Sequence, residues 1–559
     1  MDQCETNENT QLAITTKGFS AVCSVRLILA IYHLKKILIL AVTSVAILIS
    51  VSILFSGSYF HSGLSFNGTF KTYSFFKSLF LAGVLFSSIV FVNRTKEKNT
   101  KIIRTILWIL LLIVVLFSLV FQPYDPVFDN HLVNEQIYDL LINKTNQSPW
   151  YNYFSIFPNN IPITNLMLWI DTPLKYFITD FGIMLTWHAI IGQTLLVIAI
   201  FNLIKVSDLV FGKQVGNGLL LVLLMSPTYL MQFTQIAYSD TFALPFLIMS
   251  SRYFIEIYYR NYTDNIEIKQ SLKNTLLKNK NIKNILFSSL LFSIAMFLRP
   301  NVIVVLVAIS IVLTIILIKQ WKLLIILLSA IILFSFTIQK CSTFTLEATK
   351  YEKNSDPNDK MPIESWLLTS YYLGGRSGDQ INEITNKYHK YEDRKAYIRK
   401  MLLKKVKNLG PVGLVKTWSN KINILFGINT DFGMQYFKNF RPQSKNIPYV
   451  KIYSYLTPKI IHLSTISMLL SVMSFFVLPN VFSQKKVKTY SRQEQGTLLI
   501  FLAIFESLTL FHVLFWEVQE HYVYMMLPFL LATGAILTSK IFSPKNSVLL
   551  LDKERNYNA

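Results

Sequence analysis

One polar stretch, Gln122 to Ile163, follows directly on a long apolar run and reads QPYDPVFDNHLVNEQIYDLLINKTNQSPWYNYFSIFPNNIPI. Asp125 and Asp129 stand at its start, where a membrane helix has just emerged into water at the level of the lipid headgroups. A single carboxylate there can take the proton of a hydroxyl while that hydroxyl attacks an electrophilic carbon carried by a lipid phosphate, which is the task of a general base. The simpler reading makes Asp125 the start of an Asp-Pro turn and Asp129 a helix N-cap. Both readings fit the residues, and either aspartate can be the base.

Three further short stretches carry ionisable groups at the ends of apolar runs. Tyr238, Ser239 and Asp240 precede one run; Asp240 is either another cap or a second acid that orients acceptor or sugar hydroxyls across from Asp129. Arg299, Pro300 and Asn301 separate two runs. A lone cation at that level either snorkels to lipid phosphates or stabilises the phosphate of a lipid-linked donor as it leaves. Trp516, Glu517, Val518, Gln519, Glu520, His521 and Tyr522 bridge the last two runs. Glu517 is a candidate substrate ligand there and His521 a candidate phosphate contact, with a solvated turn as the plain alternative.

The elements that hold these stretches are hydrophobic helices. The chain has 559 residues, of which 52% are hydrophobic and 15% charged, and its mean hydropathy is +0.41. A soluble globule of this size carries about 25% charged residues, so this is an all-α polytopic membrane protein. Runs long enough, or nearly so, to cross about 30 Å of hydrocarbon occupy 36–55, 74–92, 103–121, 184–204, 217–231, 241–259, 284–298, 301–318, 323–338, 454–481, 498–516 and 522–539, about twelve spans. Glu506 is the clearest ionisable residue inside them.

The basic residues set the orientation. Arg94 to Arg104, Lys205, Lys213, Arg260 to Lys283, Lys319, Lys322 and Lys485 to Arg492 fall in one set of short loops, against Lys71 and Arg299 in the other. Positive residues mark cytoplasmic loops, so both termini are expected in the cytoplasm and both long hydrophilic segments outside. The expected organisation is a cytoplasmic segment 1–35, three spans in 36–121, a catalytic outer loop 122–183, six spans in 184–338, an outer cap loop 339–453, three spans in 454–542 and a cytoplasmic tail 543–559. In the first outer loop, Leu132, Val133, Ile137, Leu140 and Leu141 fall at helical spacing, which predicts an amphipathic helix on the bilayer surface.

The formal charge of +23 does not point to nucleic acid, since the basic residues are loop residues between spans. No Walker or dinucleotide motif is present. Cys4, Cys23 and Cys341 make no metal or disulfide spacing, and no HExxH or paired His/Cys set argues for a bound metal.

At Asp129, the YFSIFPNNI run of Tyr153 to Ile161, Tyr238-Ser239-Asp240, Arg299-Pro300-Asn301, Pro362 to Trp366 with Gly374-Gly375, and Glu517 to Tyr522, the chain resembles the GT-C superfamily of integral-membrane glycosyltransferases. It is most similar to the bacterial branch labelled glycosyltransferase family 39-like, which is related to protein O-mannosyltransferases. The resemblance implies a GT-C-like bundle and an inverting transfer of one sugar from a polyprenyl-phosphate donor to a cell-envelope hydroxyl outside the membrane. It gives Asp129 the role of base, with Asp125 second, and adds Asn159, Asn160, Trp366 and Tyr522 to the candidate substrate-binding set. No cofactor is implied, and a divalent metal stays open. Many relatives have Arg before the Tyr where this chain has His521, which would make that contact pH-sensitive. The WWD-type motif of oligosaccharyltransferases is absent. The competing classes are a transporter or lipid flippase, a polysaccharide polymerase or ligase, and a membrane scaffold for wall assembly.

Overall fold

A computed structural model of the chain describes residues 33–52, 84–121, 129–143, 153–225, 238–263, 279–316, 321–351, 356–372, 384–426 and 491–542, apart from a few single positions inside these ranges. Span 454–481, most of span 74–92, the far half of 217–231, Asp125 and Gly374-Gly375 lie outside the described residues, as do the chain ends. The side chain of His521 is outside them too.

The described residues are helical, and no strand occurs among them. The helices are α1 (Lys36–Ser52), α2 (Glu97–Phe121), α3 (Asp129–Tyr138), α4 (Ile161–Asp171), α5 (Phe181–Phe211), α6 (Lys213–Leu224), α7 (Ser239–Thr263), α8 (Asn279–Leu298), α9 (Ile303–Ile316), α10 (Trp321–Thr349), α11 (Ile363–Thr369), α12 (Tyr391–Phe426), α13 (Arg492–Leu510) and α14 (Leu527–Phe542). Among the described residues, 5 helical stretches are long and apolar enough to cross a membrane: Lys98–Val120, Phe181–Phe211, Asn281–Leu298, Leu323–Thr349 and Gln493–Phe515. Ile102, Ile106, Ile109, Ile113, Leu116 and Val120 are exposed along α2. An uncovered apolar face of this extent suits lipid rather than water.

Local sequence explains where the helices stop. Asp180 caps α5, accepting from the backbone N–H of Ile183 at 2.9 Å. Gly212, at φ +96°, takes a backbone conformation that side chains disfavour and breaks α5 from α6. The close pair of runs around Arg299 is a true helix break. Proline pushes the residue before it into extended backbone, and Arg299 sits at φ −136°, ψ 96° between α8 and the turn Pro300–Val302.

Cross-helix contacts show that the beginnings of α5 and α7 share one end of the bundle with the ends of α8, α10 and α13. Asp240 meets Arg299 there, Asn165 donates to Ser342 Oγ at 2.7 Å, and the Trp169 indole donates to Thr345 at 2.8 Å. At the other end Arg104 of α2 grips Asp208 of α5. Between them Arg252 of α7 pairs with Glu256 at 2.7 Å and with Asn202. This corrects the expectation that Glu506 is the clearest ionisable group within the spans: the 241–259 segment forms a helix, but Arg252 and Glu256 keep it out of the set of apolar crossing helices.

A second correction concerns α3. The expected surface helix is docked against α4 and α5, with Val133 and Ile137 buried together with the polar Asn130, Asn134 and Gln136. The part of its polar face that carries Asn130, Asn134 and Gln136 is therefore occupied by protein, while His131 and Glu135 stay partly exposed, and the reason is a partner in α5: His188 Nδ1 lies 2.7 Å from Asn134 Oδ1 and Nε2 lies 2.6 Å from Asp171 Oδ2.

Candidate functional site

The end of the bundle shared by α3, α7, α8 and α13 gathers six of the candidate residues into one buried polar network. It starts at Asp129, the first residue of α3, whose carboxylate accepts a hydrogen bond from the Tyr153 hydroxyl. Tyr153 in turn accepts from Asn160 Nδ2 at 2.5 Å, and Asn160 Oδ1 accepts from the Tyr238 hydroxyl. Two residues after Tyr238, Asp240 accepts from both Nε and Nη2 of Arg299. The Arg299 guanidinium lies over the Tyr522 ring, 5.2 Å from its centroid, and the Tyr522 hydroxyl donates to Glu517 Oε1 at 2.9 Å.

Each position follows from local structure. Pro158 opens a tight turn, Pro158–Asn160, and Pro162 sits in the first turn of α4, where a missing N–H costs nothing. Asn160 is held there between two tyrosines and fully buried, while Asn159 points outward and donates to the Asn160 side chain at 3.2 Å. The Arg-Pro break turns Arg299 across to the start of α7, where the cation is paired with Asp240 and largely buried, its side chain 14% exposed. The end of α13 widens into the turn Phe511–Phe515, which carries His512 inward: its ring lies 4.7 Å from that of Tyr522 and Nε2 lies 3.1 Å from Asn301 Nδ2.

Burial shapes the protonation of the network. Burial pushes the Asp129 carboxyl up from its usual range, against the Tyr153 hydrogen bond and the charge of Arg299. A carboxylate drawn up toward neutrality is a better proton acceptor than an exposed one. Burial, with Tyr238 and Asp129 nearby, also pushes Tyr153 up, so its phenol stays a protonated donor. For Arg299 burial acts downward, but Asp240 together with Tyr522 and Tyr238 outweighs it and the group is held firmly charged.

Sequence reasoning gave Asp240 either as another helix cap or as a second acid across from Asp129 for acceptor or sugar hydroxyls; in the structure its carboxylate accepts from Arg299. Glu517 is buried and accepts a hydrogen bond from the Tyr522 hydroxyl. Trp366 is half-buried, stacked on Trp516 at 6.1 Å and near Phe157 at 6.1 Å, so it is a wall of the same region. Tyr153, Tyr238 and Asn301 stand inside the short motifs that sequence reasoning singled out, without roles assigned. His512 is hidden in an apolar run and Lys421 in a charged helix, and nothing in their sequence neighbourhood marks them. Among the described residues no group of three or more His, Cys, Asp or Glu side chains could hold a metal ion.

An open groove of about 530 Å³ lies on the apolar faces of α9 and α10 between Leu306, Ile311 and Leu328, and none of the network residues lines it. No curated protein and no solved structure matches the chain. Over residues 19–430 the sequence matches the family described as conserved hypothetical integral membrane protein, and with its long apolar helices and their buried polar end the chain belongs to that family of integral membrane proteins.

Proposed function

We propose that this protein is a membrane-embedded glycosyltransferase that moves one sugar from a polyprenyl-phosphate donor to a hydroxyl of a cell-envelope glycopolymer, lipid or protein. The observation that carries the reading is the convergence of Asp129, Asn160, Asp240, Arg299, Glu517 and Tyr522, spread along the chain, into one connected buried network. Asp129 acts as general base. Its raised affinity for a proton suits removal of the acceptor hydroxyl proton as the anomeric carbon is attacked from the face opposite the phosphate.

Arg299 stabilises the leaving phosphate. Asp240 uses two of the five N–H donors of the guanidinium, so the cation is aimed without being consumed. Tyr522 and Glu517 fix its other face. The full bundle has about twelve spans, with both termini in the cytoplasm and this network outside, where the donor phosphate sits at headgroup level and nucleotide sugars are absent. The segments 356–372 and 387–426 form the cap over the site.

The test is transfer of label from a radiolabelled polyprenyl-phosphate sugar by membranes holding wild type or Asp129→Asn at equal expression. Loss of transfer in the variant supports the base; unchanged transfer defeats it. Analysis of envelope polymers in a strain lacking the protein then names the sugar and acceptor.

A transporter or flippase is the second reading, and one cluster favours it. Arg252, Glu256, Asn202 and Asn284 meet inside the bundle, and buried ionisable groups at membrane depth mark transport pathways. Substrate movement abolished by Arg252→Gln, with no sugar transfer by wild type, would favour it over the enzyme.

A further inference from the structure

An amide side chain has donors at its nitrogen and an acceptor at its oxygen, so the end that faces a site decides what the site can bind. Asn301 follows the Arg299-Pro300 break and lies in the turn Pro300–Val302, beside the candidate phosphate cation. Its Nδ2 meets His512 Nε2 at 3.1 Å. Its Oδ1 is buried and has no hydrogen-bond partner among the described residues.

His512 sets the direction of that amide. Its Nδ1 lies 3.2 Å from the backbone carbonyl of Glu517, and a carbonyl only accepts, so Nδ1 carries the hydrogen. In the neutral imidazole Nε2 then holds a lone pair, which takes a hydrogen from Asn301 Nδ2 and would repel Oδ1. The nitrogen of the amide is thus turned toward His512 and the oxygen away from it. The imidazole is itself held. The Trp516 N–H closes the wide turn on the Phe511 carbonyl at 3.1 Å, and Lys421 of α12, fully buried, donates to the carbonyls of Trp516 at 2.9 Å and Val513 at 3.1 Å. The His512 ring lies between those of Phe511 and Tyr522, with centroids 5.3 and 4.7 Å away.

A buried acceptor is stabilised by a group that has a hydrogen to give. The Tyr522 ring that packs on His512 also lies under the Arg299 guanidinium, so the amide and the cation belong to one cluster of side chains. A phosphodiester seated at Arg299 carries charge but no hydrogen, and cannot serve Oδ1. The sugar it bears can, because each hydroxyl or acetamido group on it is a donor. The substituent nearest the phosphate is the one on the ring carbon next to the anomeric carbon.

We infer that Asn301 is a specificity-determining residue whose Oδ1 accepts a hydrogen bond from the O–H or N–H on that ring carbon of the donor sugar, with His512 as the positioning residue that keeps the oxygen turned toward it. This rests on the reading of the protein as a sugar transferase. It adds a choice among sugars: those with a hydrogen to give at that carbon are preferred to those without.

The test sets substrate against protein. Membranes from a strain lacking its own copy, holding wild type or variant full-length chain at equal expression, are given undecaprenyl phosphate bearing glucose, galactose, mannose or N-acetylglucosamine. The sugar that wild type transfers is then compared with its 2-deoxy analogue, by initial rates at limiting donor, which are proportional to kcat/KM. The analogue differs in intrinsic reactivity, but that difference cancels when the ratio of the two rates in wild type is divided by the same ratio in Asn301→Leu. Loss of the amide should lower the ratio roughly tenfold, the worth of one hydrogen bond at a buried acceptor, with the loss falling on the natural donor. His512→Phe, which leaves the amide free to rotate, should lower it severalfold. A residue that serves only the fold would slow both donors alike, so equal losses in Asn301→Leu overturn the inference, as does an unchanged ratio. Should Asn301→Leu fail to fold, Asn301→Ala and His512→Phe decide by the same ratio. Transfer from none of these donors by wild type overturns the transferase reading and this inference together, whereas transfer with a ratio indifferent to Asn301 overturns this inference alone.

Discussion

Two arginines grip an aspartate at opposite ends of the bundle, and they do so differently. At one end Arg104 meets Asp208 at 2.7 and 2.9 Å, gives another bond to the Lys213 carbonyl at 2.7 Å, and donates through Nε to Asn217. That guanidinium is spent from all sides on joining α2, α5 and α6. At the other end Arg299 gives Nε and Nη2 to Asp240, rests on an aromatic ring, and its charge reaches the Asp129 carboxyl. The first cluster is closed and joins helices. The second is aimed, with donor capacity in reserve, and that difference separates a structural ion pair from a site able to accept a ligand.

The largest effect that would sharpen this contrast is kinetic. Asp129→Asn should lower sugar transfer by about 10²- to 10⁴-fold, the usual worth of a general base. Asp208→Asn, counted per folded molecule, should leave the rate unchanged. Equal losses in both variants would erase the distinction.

Next comes stability. Arg299→Met strands Asp240 as a buried unpaired charge and should cost about 3–5 kcal/mol in thermal or denaturant unfolding. Adding Asp240→Leu should recover most of that stability without restoring transfer, since removing both partners removes the stranded charge but not the need for a cation.

A smaller effect tests the closed cluster. At Gly216 a Cβ would lie 2.0 Å from Asp208 Oδ1 and 2.8 Å from Arg104 Nη2. Gly216→Ala should therefore lower stability by about 1–3 kcal/mol, as overpacking does, and leave transfer by the folded fraction intact.

The smallest effect is a slope with pH. The Asp129 carboxyl is raised in the folded protein, so between its ordinary value and the raised one the folded state binds more protons than the unfolded chain. Its contribution to stability then falls as pH rises through that window. Melting temperatures of Asp129→Asn should lack this decline, and the variant should match or exceed wild type in stability at neutral pH. A variant less stable than wild type there would show that Asp129 serves the fold before it serves chemistry.

Much of this arrangement is legible in residue order. Apolar runs placed α2, α5, α8, α10 and α13, and the Arg-Pro pair marked a helix break that also aims a side chain. Short polar stretches at the ends of runs named Asp129, Asp240, Arg299 and Glu517, and the resemblance added Asn160 and Tyr522. Their partners were not legible. Asp240 read as a helix cap or an acid for substrate because nothing local to it reveals a guanidinium 59 residues away.

What the sequence by itself determined is the helical, membrane-embedded character of the chain and the positions where its helices are interrupted, because hydropathy over a span and backbone limits at proline and glycine are local properties. What only the tertiary structure decided is which polar groups meet. His188 with Asp171 and Asn134, and Lys421 with the carbonyls of the α13 turn, sit in stretches that read as plain apolar or solvated helix. The physical reason is that a buried polar group is made tolerable by its partner, and that partner comes from another helix whose rotation and depth are set by packing rather than by neighbours in the chain.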